Sequence, residues 1–307
     1  MGDCVMKIVV FGGTGFIGCG IVEGLASKGY EVTVGTRGAA FQACEQTYRM
    51  KQVKYDSVES VQEFIAGSDF VINCIANVHG EDMSLEGFRR VEVHLTEFIA
   101  QACLNAGVPL IQLSSVIAFG RKLPDTPIDE TFVGSDFEMI DKVCIEREEK
   151  VRSVFQHSED YLILRPVPII GAKDKGGTLR KIFSLYQQGS FPIVEGGSAS
   201  VTFADKRDIG NAVDLALRSF NRIKGKMYII GGFDASWQRV KHALDLYYGM
   251  ENKYASLSRS EAESMLGLRT AEFISSPRLY NDQRFRRETG YSPKYSLDDA
   301  IASYISG

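Results

Sequence analysis

The 307-residue sequence has no apolar run near the roughly 20 residues needed to cross a bilayer, which argues against a membrane-spanning helix. Its first residues lack the apolar stretch and cleavage site of a secretory leader; positions 8–11 read as a strand instead. Histidine is scarce, with four dispersed residues that form no metal-binding cluster. The six cysteines (Cys4, Cys19, Cys44, Cys74, Cys103 and Cys144) show no C-x-x-C spacing. They read as small buried hydrophobes in a reducing compartment, not as a disulfide framework or a zinc site. Positive charge is not in excess: 35 Lys and Arg face 39 Asp and Glu, for a net charge of −4. Nothing therefore draws the chain generally to nucleic acid or to an anionic membrane. The remaining expectation is a cytoplasmic protein whose partner is a small molecule.

The rest of the composition is ordinary, 44% hydrophobic and 24% charged. That length suits one large α/β domain, or such a domain with a smaller lobe. Short apolar runs at 7–11, 31–35, 51–55, 70–75, 109–114, 161–166 and 226–230 read as strands. Helical patterns at 17–28, 57–66, 85–106, 137–156 and 208–220 alternate with them, as in a parallel sheet built from βαβ units. The alternation lapses at 171–201, where 178–188 is helix-like, and again beyond 232, where 236–248, 258–266 and 297–305 read as helices. The expected architecture is a doubly wound parallel (Rossmann) sheet over 1–170 and about 201–231. A discontinuous substrate-binding lobe would come from 171–200 and 232–307, with the site between the two.

The first strand runs into a turn with Gly12, Gly15 and Gly18, followed by a helix. In a dinucleotide site the first glycine permits the tight turn and the second lets a pyrophosphate approach the backbone. The third lets helix and strand pack closely. The competing reading is an ordinary glycine-rich βα turn. Further along stand Ser114-Ser-Val-Ile-Ala-Phe-Gly120, Leu164-Arg-Pro-Val-Pro-Ile-Ile-Gly171, Phe203-Ala-Asp-Lys-Arg-Asp208, Tyr228-Ile-Ile-Gly-Gly232 and Gly290-Tyr-Ser-Pro-Lys294. With the glycine turn they give the chain a near full-length resemblance to the extended short-chain dehydrogenase/reductase family, the NAD-dependent epimerase/dehydratase group.

That resemblance implies a nicotinamide cofactor held by Gly12, Gly15, Phe16, Ile17 and Gly18. Asp56 and Ser57 would lie at the adenine, and Cys74, Ile75, Ala76 and Pro166 along the cofactor. Where NAD sites usually place an acid after the second strand, this chain has Arg37. An arginine there can hold a 2′-phosphate, so NADP(H) is expected ahead of NAD(H); the alternative is a solvated surface arginine. Asp56 could equally cap the next helix.

At the catalytic end the resembled family uses a serine, a tyrosine and a lysine four residues after that tyrosine. Ser115 takes the serine's place and Lys142 the lysine's, with Glu146 one turn later. The tyrosine's place, position 138, holds Glu. Glu138 could act as the acid/base if burial raises it toward neutrality, although Lys142 would oppose that. Alternatively another donor such as Asp141 or water serves, or the cofactor is bound without turnover. A fourth reading is an exposed helix face whose charges merely pair. Glu92 replaces an amide of the family's active-site network, and Val116-Ile117 stand where the 4,6-dehydratases carry an acid pair. Dehydration of a sugar nucleotide is therefore not expected.

For substrate, the resemblance implies a hydroxyl or carbonyl compound, sugar nucleotides among them. Ser115 and Asn77 would contact it, and Arg180 with Arg207 would meet a diphosphate. Lys173, Lys175 and Lys181 are further candidates, and His79 reads as a loop residue. The resemblance also implies a homodimer through the helices at 85–106 and 137–156. The primary expectation is an oxidoreductase or epimerase with a variant proton-transfer group. The alternative is a catalytically silent NADP(H)-binding sensor or scaffold.

Overall fold

The computed structural model describes residues 5–38, 47–77, 82–174, 176–249 and 256–307. Its strands are β1 (Lys7–Phe11), β2 (Glu31–Thr36), β3 (Arg49–Gln52), β4 (Phe70–Asn73), β5 (Leu110–Leu113), β6 (Tyr161–Pro166), β7 (Ile169–Ile170), β8 (Ile193–Val194), β9 (Ser200–Asp205), β10 (Met227–Ile230), β11 (Phe233–Ser236) and β12 (Ser256–Leu257). The helices are α1 (Phe16–Ala26), α2 (Val58–Ile65), α3 (Leu85–Phe88), α4 (Leu95–Ala106), α5 (Met139–Val154), α6 (Thr178–Gln187), α7 (Lys206–Ile223), α8 (Trp237–Tyr248), α9 (Arg259–Leu266), α10 (Leu268–Ser275), α11 (Gln283–Thr289) and α12 (Leu297–Ser306).

Seven strands form one sheet in the order β10-β6-β5-β4-β1-β2-β3, every pair parallel. A parallel sheet needs helical crossovers that cover both faces, so its central strands must be apolar throughout. All four residues of β5 are buried, as are the last four of β1 and the last five of β6. Chain order reverses between β1 and β4, which opens a crevice at the strands' C-terminal ends. On one face α1 and α7 approach through bare backbone: a Cβ on Gly210 would lie 2.8 Å from the Gly20 carbonyl oxygen.

A second apolar core collects Ile182, Phe183, Tyr186, Phe191, Phe203 and Trp237. Trp237 is fully buried, with Phe203 and Phe273 edge-on at centroid distances of 5.8 and 5.3 Å. β9 pairs with β7 and β11 in a separate three-stranded sheet between this core and the large one.

Three of the differences from expectation have plain physical reasons. β3 lies at Arg49–Gln52 and not at 51–55, because it is an exposed edge strand whose burial carries no apolar signal. The helix expected at 85–106 is interrupted by a π-helical turn at Arg89–His94 between α3 and α4. The helix expected from 208 starts at Lys206, directly after β9 ends at Asp205, whose carboxylate caps it by accepting from the Arg207 N–H at 2.7 Å.

Candidate functional site

The crevice forms a cleft of about 1050 Å³. Its lining follows the strand order: Arg37 after β2, the glycine turn after β1, Cys74 to Asn77 after β4, Ser115 after β5 and Pro166 at the end of β6. Arg121, Arg269, Arg278 and Tyr280 complete the wall beyond Ser115.

At the glycine turn, Gly12 has φ +72°, and a Cβ there would lie 2.7 Å from the Cys74 carbonyl. A Cβ on Gly18 would lie 2.2 Å from the Gly12 carbonyl oxygen. Side chains are thus excluded from both places, and the backbone itself forms the cradle. Gly15 is the N-cap of α1 and offers no side-chain acceptor to the first turn. The N–H groups opening a helix have no intrahelical partner and sit at the positive end of its dipole. Phe16, Ile17 and Gly18, which carry such groups, line the cleft. A cradle closed to side chains and rich in free donors fits the pyrophosphate of a dinucleotide.

Cys74, Ile75, Ala76, Asn77, Ser115, Pro166 and Arg37 also line the cleft. Burial pushes the Cys74 thiol up to about 12, with Arg147 opposing, so at neutral pH it is an uncharged wall. The Ser115 hydroxyl accepts from the Ile117 N–H at 3.3 Å and remains partly exposed. Asp56 and Ser57 do not line the cleft. Ser57 caps α2, accepting from the Ser60 N–H at 3.1 Å, and Asp56 is exposed beside Ser60. His79 and Lys175 lie outside the described residues.

The expected catalytic helix is turned differently from its sequence reading. No residue of α5, nor Glu138 before it, lines the cleft. Glu138 is the N-cap of α5, and its carboxylate accepts from Arg121 at 2.7 Å and Arg269 at 2.8 Å. Burial pushes this carboxyl up, but the hydrogen bonds from Arg269 and Arg121 outweigh it and hold the group below its ordinary value. It is therefore a carboxylate at neutral pH, and the expected rise toward neutrality does not occur. Asp141 is fully buried and committed, accepting from Arg269 at 2.6 Å and from the Glu138 N–H at 2.9 Å. Lys142 is exposed, and Glu146 accepts a two-pronged bond from Arg89 at 2.6 and 2.8 Å.

The inward face of α5 is offset by two residues from that register. Cys144 contacts the Ser114 hydroxyl at 3.2 Å, and one turn on Glu148 accepts from Arg165 at 2.7 and 2.8 Å and from Ser114. Arg147 donates to Glu92 at 2.9 Å and to the Ile75 carbonyl at 3.4 Å, while Glu92 also accepts from the Asn77 N–H at 2.8 Å. This buried network underlies the floor at Ile75, Asn77 and Ser115 and fixes the backbone there.

Arg180 and Arg207 do not reach the cleft either. Arg180 donates to the Asp174 carbonyl at 2.7 Å, and Arg207 is held by both Asp205 oxygens and lies 3.7 Å over the Tyr295 ring. The basic side chains that do line it are Arg37, Arg121, Lys173, Arg269 and Arg278. Arg121, Arg269, Arg278 and Tyr280 carry no motif. The readable signal was the extended stretch imposed around Pro277, whose alternation sends residues 278 and 280 to one side.

The sequence pattern of the NAD dependent epimerase/dehydratase family matches residues 8–231. The 2-alkyl-3-oxoalkanoate reductase of Stenotrophomonas maltophilia (strain K279a) is 23% identical, over 96% of this chain and 97% of its own. Subunit 9 of the NADH dehydrogenase [ubiquinone] 1 alpha subcomplex, mitochondrial, of Arabidopsis thaliana is 24% identical over 73% of this chain and 53% of its own. Among solved structures, the UDP-glucuronic acid 4-epimerase from Bacillus cereus in complex with NAD superposes with a TM-score of 0.80 at 17% identity, covering 98% of both chains. A putative epimerase from Burkholderia cenocepacia J2315 gives 0.80 at 17% identity, covering 99% of this chain and 98% of the other. With the glycine cradle, the seven-stranded parallel sheet and a match over most of its length, this chain belongs to the NAD dependent epimerase/dehydratase family.

Proposed function

We propose that the chain is an oxidoreductase or epimerase that binds NADP(H) in preference to NAD(H) and acts on a hydroxyl or carbonyl compound beside Ser115. The observation that carries this reading is the extent of the cleft. It continues from the glycine cradle past Ser115 to Arg278 and Tyr280, leaving room beyond a dinucleotide for a second molecule. The pyrophosphate would sit at Gly12, Gly15 and the first turn of α1, and the cofactor would run over Cys74, Ile75, Ala76 and Pro166. Arg37, exposed at the rim, would hold a 2′-phosphate. The bound nicotinamide supplies the hydride acceptor or donor.

The protein's own share of the chemistry is positioning and polarisation. Ser115 donates its hydroxyl hydrogen to the reacting oxygen of the substrate, stabilising charge that develops there. Val91, Leu95, Val116 and Ile117 make the surrounding wall apolar, which strengthens that bond. Proton exchange does not run through α5. On its inward face the pair one turn apart is Ile140 and Cys144, an apolar side chain and a buried thiol raised by burial. Water entering the open cleft takes that role, which is the variant step of this reading. Substrates of the relatives, the 2-alkyl-3-oxoalkanoates and UDP-glucuronic acid of their names, share an oxidisable or reducible carbon–oxygen centre.

The absence of any α5 side chain from the described cleft favours a second reading, a cofactor-binding sensor or scaffold without turnover. Following NADPH oxidation against a panel of carbonyl compounds, together with interconversion of sugar nucleotides, which an epimerase performs without net cofactor oxidation, separates the two. The enzyme reading expects turnover that Ser115→Ala lowers on the order of 100-fold, with Glu138→Gln and Lys142→Met within about twofold of the wild type. Cofactor binding with neither oxidation nor interconversion across the panel leaves the second reading. Loss of turnover in Lys142→Met would reinstate α5.

A further inference from the structure

The five basic side chains lining the described cleft are not equally available. Lys173 is paired with Glu23 at 3.0 Å. Arg121 is held by Glu138, Asp136 and Glu272, and Arg269 by Glu138 and Asp141. Among the described residues, Arg37 and Arg278 have no ion pair. Arg37 is spoken for by the cofactor reading, which leaves Arg278 as the cation open to a substrate.

Its setting is built. The Arg278 N–H donates to the Ser200 carbonyl at 2.9 Å, and its carbonyl accepts from the Thr202 N–H at 2.9 Å, fixing the backbone beside β9. Two residues on, the Tyr280 N–H donates to the Thr202 hydroxyl at 3.0 Å. In an extended segment residues i and i+2 share a face, and both side chains line the cleft. The Arg278 Nε is buried and has no hydrogen-bond partner. A buried guanidinium nitrogen without an acceptor is costly unless a ligand supplies one. Phe273 and Leu179 add apolar side chains to the lining of the cleft.

We infer that Arg278, assisted by the Tyr280 hydroxyl, is the specificity-determining residue for a substrate bearing a single carboxylate, an oxo acid or hydroxy acid. A guanidinium fork matches the two oxygens of a carboxylate. A nucleotide diphosphate suits this end poorly. The charges of Arg121 and Arg269 are already met by Asp136, Glu138, Asp141 and Glu272, which leaves Arg278, among the described residues, as the one guanidinium there without an ion pair, enough for a single carboxylate. This inference rests on the proposed function, since it names the substrate class of that site.

Calorimetric titration tests it on the full chain saturated with NADPH, using 3-oxooctanoate, its methyl ester, UDP-glucose and inorganic phosphate as probes. The acid is expected to bind roughly 10- to 100-fold more tightly than the ester, the range for a charge-assisted hydrogen bond. It should also bind more tightly than UDP-glucose or phosphate. Arg278→Met should erase the acid–ester difference at unchanged melting temperature, and Arg278→Lys should restore part of it. The inference is overturned if acid and ester bind equally, if neither binds, if UDP-glucose or phosphate binds best, or if Arg278→Met weakens both equally. Failure to saturate with NADPH would instead remove the proposed function beneath it.

Discussion

The Glu138 carboxylate accepts from one guanidinium on each side, Arg121 and Arg269, and so occupies the N-cap of α5 as a fixed anion. Its neighbours, more than its burial, decide its charge, and a group held ionised cannot deliver a proton at neutral pH. Glu148 shows the same contest deeper in the fold. It is fully buried, and burial pushes its carboxyl up, yet bonds from Arg165 and Ser114 hold it below its ordinary value. A carboxyl whose pKa is lower folded than unfolded contributes stability above its unfolded value, about 4.3 for glutamate, and loses it as pH falls through the folded value. Glu148→Gln should therefore destabilise the protein by about 3–5 kcal/mol at pH 7, because it strands the buried Arg165. In urea unfolding the gap between wild type and variant should narrow steadily as pH drops toward 3. A gap independent of pH would contradict this account.

At the scale of elements, the strand β1, the turn after it and α1 form a unit whose geometry leaves no room for a methyl group at position 18. Gly18→Ala would place a carbon 2.2 Å from the Gly12 carbonyl oxygen. Overpacking of this kind costs about 1–3 kcal/mol, and relief requires the turn to move. Scanning calorimetry should show a lower melting temperature, and NADPH affinity should fall at least roughly tenfold as the cradle's donors shift, the loss of about one well-placed hydrogen bond to a charged group. An unchanged melting temperature would show the contact to be softer than it stands here. This unit was readable in the chain because its chemistry is local: apolar strand, glycine spacing and helix follow one another within twenty residues. The π-helical turn at Arg89–His94 was not readable, since tertiary bonds shape it. Glu92 turns inward to meet Arg147, 55 residues away, and no local periodicity announces that. The facing of α5 escaped for a related reason. Its charged residues support two registers, and only the partnership of Glu148 with Arg165 selects one.

At the scale of the whole molecule, two of the cations lining the cleft have no ion pair among the described residues, Arg37 after β2 and Arg278 beside β9, and Ser115 lines the same cleft. Arg37 could be singled out as a candidate from sequence because its place is fixed by distance from the glycine turn. Arg278 could not, because its neighbours come from β9 and from the segment that crosses it, and its freedom depends on every other arginine nearby being paired. The proposed function requires the cradle and Arg37 together to hold a phosphorylated dinucleotide. Fluorescence titration of NADPH and NADH against the wild type and Arg37→Ala measures that directly. The wild type should bind NADPH at least about tenfold more tightly than NADH, as one charge-assisted contact to the 2′-phosphate allows. Arg37→Ala should abolish the preference while leaving NADH unchanged. No binding of either nucleotide, or equal losses for both, would contradict it.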